Sequence, residues 1–278
     1  MNKVSATKSV IDARALELRR DGRAVVGPLD WNVAPGERWV VMGPNGCGKS
    51  TLTQALQGRL HPWDGQLSIL GIEIGREPLQ DLWRRVGFAG DTMERLVDPD
   101  TTLLEYVATA SLGTVGVRFA RPGPKARQRA LKELAAWGVE DLASRKFFQV
   151  SLGQKRKAHI ARALAPDPDL LLLDEPFAGL DPVARFDLLR RVEAWSLENP
   201  ALAFVLVTHH VEEIPSTATH VLLLDETGHC LAQGPLRKAL SSRNLSEAFG
   251  RPLRLSGRAG HWILGFSVQR PSSRDSLF

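Results

Sequence analysis

Cysteine is scarce in this chain, which has only Cys47 and Cys230 among its 278 residues. Two cysteines without metal-ligand spacing exclude a disulfide framework and are typical of reduced thiols in the cytosol. Long hydrophobic runs are also missing: the runs at 170–173 and 221–224 are far shorter than the ~20 residues of a transmembrane helix. We therefore expect a cytoplasmic protein that reaches the inner face of a membrane only through partner subunits.

Charge of one sign is not in large excess, since 36 basic residues face 31 acidic ones and the net charge is +5. A surplus this small does not indicate a nucleic-acid partner, and none is expected. The opening stretch, MNKVSATKSV, has no apolar core, so no secretory signal is expected. The hydrophobic fraction of 43% is high enough for a chain of this length to bury a sizeable core.

The sequence changes character twice along its length. The first part favours short β segments, followed by an apolar strand at 39–42 and a helix at 49–57 that Gly58 can end. From about residue 92, helical patterns dominate, at 103–110 and at 125–137 before Gly138. Beyond residue 160, apolar strand runs at 170–173, 203–207 and 221–224 alternate with a helix at 183–197, which predicts a parallel sheet with crossover helices.

A glycine-rich loop follows the strand at 39–42. Its residues, which fit the pattern G-x-x-x-x-G-K-[ST], are Gly43, Pro44, Asn45, Gly46, Cys47, Gly48, Lys49 and Ser50, with Thr51 next in the helix. Phosphates need several converging backbone N–H donors, which a tight glycine loop at a helix N-terminus provides. We expect Lys49 to reach the β- and γ-phosphates of ATP and the Ser50 hydroxyl to hold Mg²⁺.

The apolar run at 170–173 ends in two adjacent carboxylates, Asp174 and Glu175. Buried strands seldom end in paired acids unless the acids face a cation or a reacting group. We predict that Asp174 holds Mg²⁺ and that Glu175 polarises the attacking water.

Further motifs accompany these two in a fixed order. They are Val150-Ser151-Leu152-Gly153-Gln154, then Pro176 and Ala178-Gly179-Leu180-Asp181 after the acidic pair, and finally Val207-Thr208-His209. In this order and spacing, the set resembles the ABC transporter ATPases over residues 11–235. The resemblance implies an α/β fold: a P-loop NTPase core with a mostly parallel sheet, an N-terminal antiparallel β subdomain and an inserted α-helical subdomain.

The resemblance also implies roles for the added motifs. Residues Ser151, Leu152, Gly153 and Gln154 match the signature, whose helix faces the γ-phosphate of the nucleotide held by the other subunit of a homodimer or heterodimer. Residues Ala178, Gly179, Leu180 and Asp181 match the loop that crosses the dimer interface, and His209 matches the histidine that contacts the γ-phosphate. We expect the ATPase domain to span 1–240, its helical subdomain about 92–160, and an extension 241–278 whose last nine residues, 270–278, lack order.

Three positions depart from the family pattern. Leu152 stands where glycine is common, and Asp91 stands where a glutamine normally senses Mg²⁺, or Gly90 does if the register slips by one. Aspartate could face the cation but cannot donate a hydrogen bond. Arg20 stands where an aromatic residue stacks on adenine, and a guanidinium plane can also stack on a base.

Two functions fit these features. The first is the ATPase subunit of a transporter whose membrane-spanning permease subunits are separate chains. The second is a soluble mechanoenzyme of the same family that acts on a macromolecular or cofactor-assembly partner. The first is favoured, because relatives that act on ribosomes carry two such domains and those in DNA repair carry long coiled coils. The sequence does not indicate a transported substrate or a direction of transport.

Overall fold

The computed structural model describes residues 9–112, 121–258 and 260–266. Within them, the strands are β1 (Ile11–Arg20), β2 (Arg23–Val33), β3 (Arg38–Met42), β4 (Asp64–Ile69), β5 (Ile72–Glu73), β6 (Val86–Ala89), β7 (Leu170–Asp174), β8 (Ala203–Val207), β9 (His220–Leu224), β10 (Cys230–Pro235), β11 (Leu253–Arg258) and β12 (His261–Phe266). The helices are α1 (Lys49–Leu56), α2 (Gln80–Arg85), α3 (Leu103–Ala108), α4 (Pro124–Ala136), α5 (Leu152–Leu164), α6 (Pro182–Glu198), α7 (Leu236–Ala239) and α8 (Ser242–Ala248).

The central sheet has six strands in the order β10-β9-β3-β8-β7-β6. All neighbours are parallel except β9 and β10, which are antiparallel. Strands β3, β7, β8 and β9 are almost wholly buried, as expected for a sheet covered on both faces. The loops after β3, β6, β7 and β8 therefore leave the same carboxyl edge of the sheet, where ligands of parallel α/β sheets bind.

A second sheet, in the order β2-β1-β4-β5, is antiparallel throughout and packs over α1. Strands β1 and β2, with 10 and 11 residues, are longer than the short β segments predicted for the first part of the chain. Irregular pairing between Ala13 and Leu16, and again between Leu16 and Leu18, interrupts the alternation of buried and exposed residues in β1. The predicted combination of a mostly parallel core sheet with an antiparallel β part and helices is confirmed.

Helices dominate between β6 and β7, where α3, α4 and α5 pack on one another around Tyr106 and Phe147. Thr102 begins α3 with a capping box that includes Glu105. Gly138 follows α4 with φ 64°, and Gly58 follows α1 with φ 70°, so both glycines end helices as predicted. The proposed boundaries of the helical subdomain stay a prediction.

After the core sheet, the chain continues through α7 and α8 into a hairpin of β11 and β12. Leu245 and Leu253 of this region are buried in the same hydrophobic core as Val40 and Leu171 of the parallel sheet. The predicted lack of order at 270–278 concerns residues outside the described ranges. None of the helices in the described ranges is both long and apolar enough to span a membrane.

Candidate nucleotide site

The glycine-rich loop connects β3 to α1, in the strand-loop-helix context that the motif requires. The Lys49 side chain is buried and its Nζ donates to the carbonyl oxygens of Gly43, at 2.9 Å, and Pro44, at 2.8 Å. Gly48 precedes α1 with φ 97°, and a Cβ there would lie only 2.6 Å from the carbonyl oxygen of Val25. Glycine is thus required at Gly48 both by the main-chain conformation and by the approach of β2.

A pocket of about 570 Å³ opens in front of this loop. Its walls are formed by the tip of the β1–β2 hairpin, by the glycine-rich loop with the start of α1, and by the residue after β7. The lining residues are Arg20, Asp21, Arg23, Val25, Asn45, Gly46, Gly48, Lys49, Ser50, Thr51 and Glu175. The structure therefore brings Arg20 to the same pocket as the predicted phosphate-binding residues and Glu175.

Asp21, Arg23 and Val25 also line this pocket, and the sequence analysis missed them. Asp21-Gly22 is a hairpin-turn dipeptide directly beside Arg20, and Arg20 pairs with Arg23 across the turn. That turn signal, combined with the position of Arg20, could have indicated all of the hairpin tip.

Asp174 is the last residue of β7 and its carboxylate is largely buried. Burial, the largest cause, and the neighbouring charge of Glu175 together raise the pKa of Asp174 to about 6, with Lys49 acting in the opposite direction. A carboxylate whose ionised form is this unfavourable alone gains most from a nearby cation. Together with the exposed hydroxyl of Ser50 at the start of α1, Asp174 offers oxygen ligands of the kind that Mg²⁺ prefers.

Glu175 follows in the left-handed region of the backbone, with φ 48°. Its N–H donates to the carbonyl oxygen of Val207 at 2.9 Å, which ties it to the end of β8. His209 lies two residues beyond β8, and its Nδ1 is 3.1 Å from Glu175 Oε1. Because β7 and β8 are parallel neighbours, two residues 34 positions apart in sequence meet in a direct hydrogen bond.

The signature motif begins α5. Ser151 Oγ accepts from the Gln154 N–H at 3.3 Å, while Gln154 Oε1 accepts from the Ser151 N–H at 2.8 Å, which makes a capping box. Among the described residues that line the pocket, none belongs to 151–154. In a single chain, the start of α5 is therefore separate from the pocket that holds the glycine-rich loop.

The loop at 178–181 lies instead beside the signature of its own chain. A Cβ on Gly179, which has φ 77°, would lie 3.0 Å from Leu152 Cδ2, so the leucine that departs from the family pattern packs on this glycine. Asp181 caps α6 by accepting from the N–H groups of Val183 and Ala184, at 2.9 Å each. Leu180 is buried against the helical core.

Gly90 and Asp91 follow β6 and face different neighbours. A Cβ on Gly90 would lie 3.1 Å from the Cβ of Asp174, so Gly90 packs directly beside the predicted metal ligand without offering a side chain. The Asp91 carboxylate is bonded to Arg156 of α5, with Arg156 Nη2 donating to Asp91 Oδ2 at 3.0 Å. The metal-binding role predicted for Asp91 is not tested by these contacts, but Arg156 is a partner that the sequence analysis missed.

Comparisons with known proteins agree with this arrangement. A family model described as ABC transporter matches residues 26–178. An ABC transporter ATP-binding protein of Bacillus subtilis strain 168, YlmA, is 32% identical, with 86% of this chain and 90% of YlmA covered. The cobalt import ATP-binding protein CbiO of Rhodobacter capsulatus is 35% identical, with 92% and 91% covered.

Solved structures show the same fold. The ATP-binding cassette MJ0796, solved as a dimer in a post-hydrolysis state with ADP and Pi, is 25% identical with a TM-score of 0.69, and 82% of this chain and 99% of that one are covered. The cbiO1 protein of Clostridium perfringens, part of the cbiONQ complex, has a TM-score of 0.70 at 24% identity over 83% of this chain and 90% of its own.

The fold and the pocket define a P-loop ATPase, in which a glycine-rich loop and an acidic pair meet at the carboxyl edge of a parallel sheet. The chain belongs to the ABC transporter family, as one of its ATP-binding proteins. It binds ATP and hydrolyses it.

Proposed function

We propose that this chain drives transport through separate membrane-spanning subunits by ATP-dependent dimerisation. The observation that carries the proposal is the separation of two half-sites within one chain. The glycine-rich loop and Glu175 line one pocket, whereas the start of α5 lies outside it, against the loop at 178–181. A second copy, or a related chain, that presents its own residues 151–154 would complete the site.

In this proposal, residues in and beside the pocket divide the binding and hydrolysis of ATP between them. The loop Gly43–Thr51 and Lys49 bind the phosphates, and Arg20 stacks on the adenine. Ser50 and Asp174 hold Mg²⁺, which neutralises phosphate charge when bound. Glu175 polarises the attacking water as a general base, and His209, hydrogen-bonded to Glu175 at 3.1 Å, positions that water and contacts the γ-phosphate.

The start of α5 has the chemistry to contact the γ-phosphate of a partner's nucleotide. Helix N-termini present unpaired N–H groups and a positive dipole end, both of which favour an anion. Ser151 Oγ accepts from the Gln154 N–H, which leaves its own O–H available as a donor for such an oxygen. The loop at 178–181, which packs on Leu152 in the same chain, would carry the state of one site to the other across the interface.

The relatives support the transport role. CbiO is by name a cobalt import protein, and the cbiO1 cassette is part of a transporter complex. A chain of this kind works at the cytoplasmic face of a membrane through its permease subunits. The cargo would be recognised by those subunits.

The dimerisation step is tested by the molar mass of Glu175→Gln. Removal of the general base keeps ATP binding and blocks hydrolysis, so light scattering after size-exclusion chromatography should give twice the monomer mass with Mg-ATP and the monomer mass with ADP. The wild-type chain, which hydrolyses its ATP, is the matched control and should stay monomeric at long times. A Glu175→Gln protein that remains monomeric in saturating Mg-ATP would contradict the proposal.

The transport step is tested by purifying the chain at its native expression level and identifying the proteins that co-purify with it. We expect a protein with several transmembrane helices, in a complex that survives detergent extraction. Purification with a ribosomal, nucleic-acid or cofactor-assembly component, and without a membrane protein, would favour the soluble mechanoenzyme instead.

A further inference from the structure

The loop after β6 contacts α5 through one pair of charged side chains. Asp91 is 62% exposed at its side chain, whereas its partner Arg156 is only 4% exposed. Arg156 Nη1 faces Asp91 Oδ1, and Nη2 donates to Oδ2 at 3.0 Å. The two side chains thus form an ion pair in which Nη2 makes the hydrogen bond to the carboxylate.

Arg156 also contacts a third segment. Its Nη2 donates to the carbonyl oxygen of Ala178 at 2.8 Å. A single buried guanidinium therefore joins the loop after β6, the signature helix α5 and the loop that precedes α6. Guanidinium is suited to this, because it carries five N–H donors in one rigid plane.

The segment that Arg156 holds begins at the predicted general base. Ala178 N–H donates to the carbonyl oxygen of Glu175 at 3.1 Å, which closes a turn from 175 to 178. Glu175 itself has φ 48°, a conformation that a side chain with a Cβ keeps only when its surroundings fix it. Two bonds restrain this turn at its ends: Glu175 N–H to Val207 at 2.9 Å, and Arg156 to Ala178.

Electrostatics point the same way. Burial lowers the pKa of the Arg156 guanidinium, and the negative charge of Glu175 raises it, so the two groups act on each other. Within the described contacts, the partners of the guanidinium are Asp91 and the Ala178 carbonyl oxygen. Gly90 packs against Asp174, since a Cβ on Gly90 would lie 3.1 Å from the Asp174 Cβ.

We propose that Arg156 is a positioning residue for ATP hydrolysis, which fixes the turn that carries Glu175, and that Asp91 acts through Arg156 instead of as a ligand of Mg²⁺. The inference rests on the role proposed above for Glu175. It gives the departure at position 91 a function: the loop after β6 senses the state of the hydrolytic turn through a side-chain bridge, without touching the cation.

The test compares Arg156→Gln, Arg156→Lys and Asp91→Asn in the full chain. For each variant, kcat, KM for ATP, the Mg²⁺ concentration for half-maximal hydrolysis, the affinity for a fluorescent ATP analogue and the melting temperature are measured. Arg85→Gln is the matched control, because Arg85 and Asp169 form an ion pair at 2.6 Å between half-exposed side chains. Arg85→Gln should leave all of these values unchanged.

Arg156→Gln should lower kcat on the order of tenfold with unchanged nucleotide affinity, because small displacements of catalytic groups cost rate. Arg156→Lys should be intermediate, since an ammonium keeps the charge but loses the planar guanidinium whose Nη2 donates to both Asp91 and Ala178. Asp91→Asn should lower kcat a few-fold, at an unchanged half-saturating Mg²⁺ concentration. The double variant Asp91→Asn/Arg156→Gln should be no slower than Arg156→Gln alone, because both act through one contact.

Two results would overturn the inference. A rise in half-saturating Mg²⁺ for Asp91→Asn, with normal kcat at saturating Mg²⁺, would make Asp91 a metal ligand. A folded Arg156→Gln protein with wild-type kcat would show that Arg156 positions nothing. If Arg156→Gln does not fold, the double variant Arg156→Lys/Asp91→Asn is compared with its two single variants. If the two single reductions in kcat multiply in the double variant, the residues act independently and the shared contact is contradicted. Near-normal turnover in Glu175→Gln would instead refute the proposed site, whatever Arg156 does.

Discussion

The loop at 43–49 and the loop at Gly90–Asp91 both lie beside Asp174, but they are built in different ways. The first is stabilised within its own segment: the Lys49 side chain donates to two main-chain carbonyl oxygens of the loop, and Gly48 is required by the approach of Val25. The second is held by a contact between distant segments, since Asp91 meets Arg156 from 65 positions away in sequence. A loop that depends on its own main-chain conformation restricts the residue types that fit it, whereas a pair of side chains from two segments can be exchanged for another.

The largest effect is expected for a substitution at Lys49 in the glycine-rich loop. Lys49→Ala should weaken ATP binding and abolish hydrolysis, with a loss of rate of at least about 10²-fold, because Lys49 is the buried cation of the glycine-rich loop. Titration of a fluorescent ATP analogue and a phosphate-release assay measure both effects. Lys132→Ala, which removes an exposed lysine of α4, is the control. Unchanged affinity and rate in Lys49→Ala would mean that this loop is not the phosphate site.

Asp174 lies beside both loops, and the cost of its charged carboxylate is tested by the stability of Asp174→Asn without nucleotide or Mg²⁺. The pKa of Asp174 is about 6 in the folded chain against 3.8 ordinarily, so between those values the folded state binds a proton that the unfolded chain does not. Stability contributed by Asp174 is therefore lost as pH rises through this window. Above pH 6 the charged group costs about 3 kcal/mol, at 1.36 kcal/mol per pKa unit.

Asp174→Asn should accordingly raise the free energy of unfolding at pH 7.5 by up to about 3 kcal/mol and change it little below pH 4. Urea unfolding in EDTA at the two pH values measures the difference. The control Asp187→Asn, at an exposed position of α6, should stay within about 0.5 kcal/mol of wild type. An Asp174→Asn protein that is less stable at pH 7.5 would show that the carboxylate is satisfied within the protein and does not await a cation.

The smallest effect is expected at the hairpin tip, where Arg20 is an exposed residue on the wall of the pocket. Arg20→Ala should weaken ATP binding about two- to five-fold, the equivalent of an exposed stacking contact of about 0.5–1 kcal/mol. Arg20→Tyr should keep or improve the affinity, since an aromatic ring offers the same stacking face. Arg14→Ala, an exposed arginine of the same strand, is the control. An equal loss of affinity for ATP and for inorganic triphosphate in Arg20→Ala would indicate that Arg20 contacts phosphate and not the base.

Much of the fold could be predicted, because periodicity and glycine positions have direct physical causes. The apolar runs at 170–173 and 203–207 correspond to β7 and β8, whose burial on both faces permits no polar interruption. Strands β1 and β2 were harder to delimit, because irregular pairing in β1 displaces its side chains from strict alternation. Where a strand alternates irregularly, a pattern of period two identifies only part of it.

In the candidate site too, some residues could be predicted from the sequence and others could not. The glycine-rich loop, the acidic pair and His209 each follow a strand, so their meeting at one sheet edge could be anticipated from the order of elements. The contact of Asp91 with Arg156 could not be anticipated, because it depends on how α5 packs against β6. In the sequence, Arg156 is one of several basic residues of α5 and nothing in the pattern distinguishes it. Arg23, by contrast, is paired with Arg20 across the Asp21-Gly22 turn, so the position of Arg20 could have indicated it.

The most direct test of the account is the steady-state ATPase rate of Glu175→Gln alongside its affinity for ATP. The pocket, the contact with His209 and the turn restrained by Arg156 all converge on this carboxylate. The account predicts turnover lowered by about 10²-fold or more, as for loss of a general base, with ATP affinity retained. Turnover close to that of the wild type, at full occupancy with Mg-ATP, would contradict it.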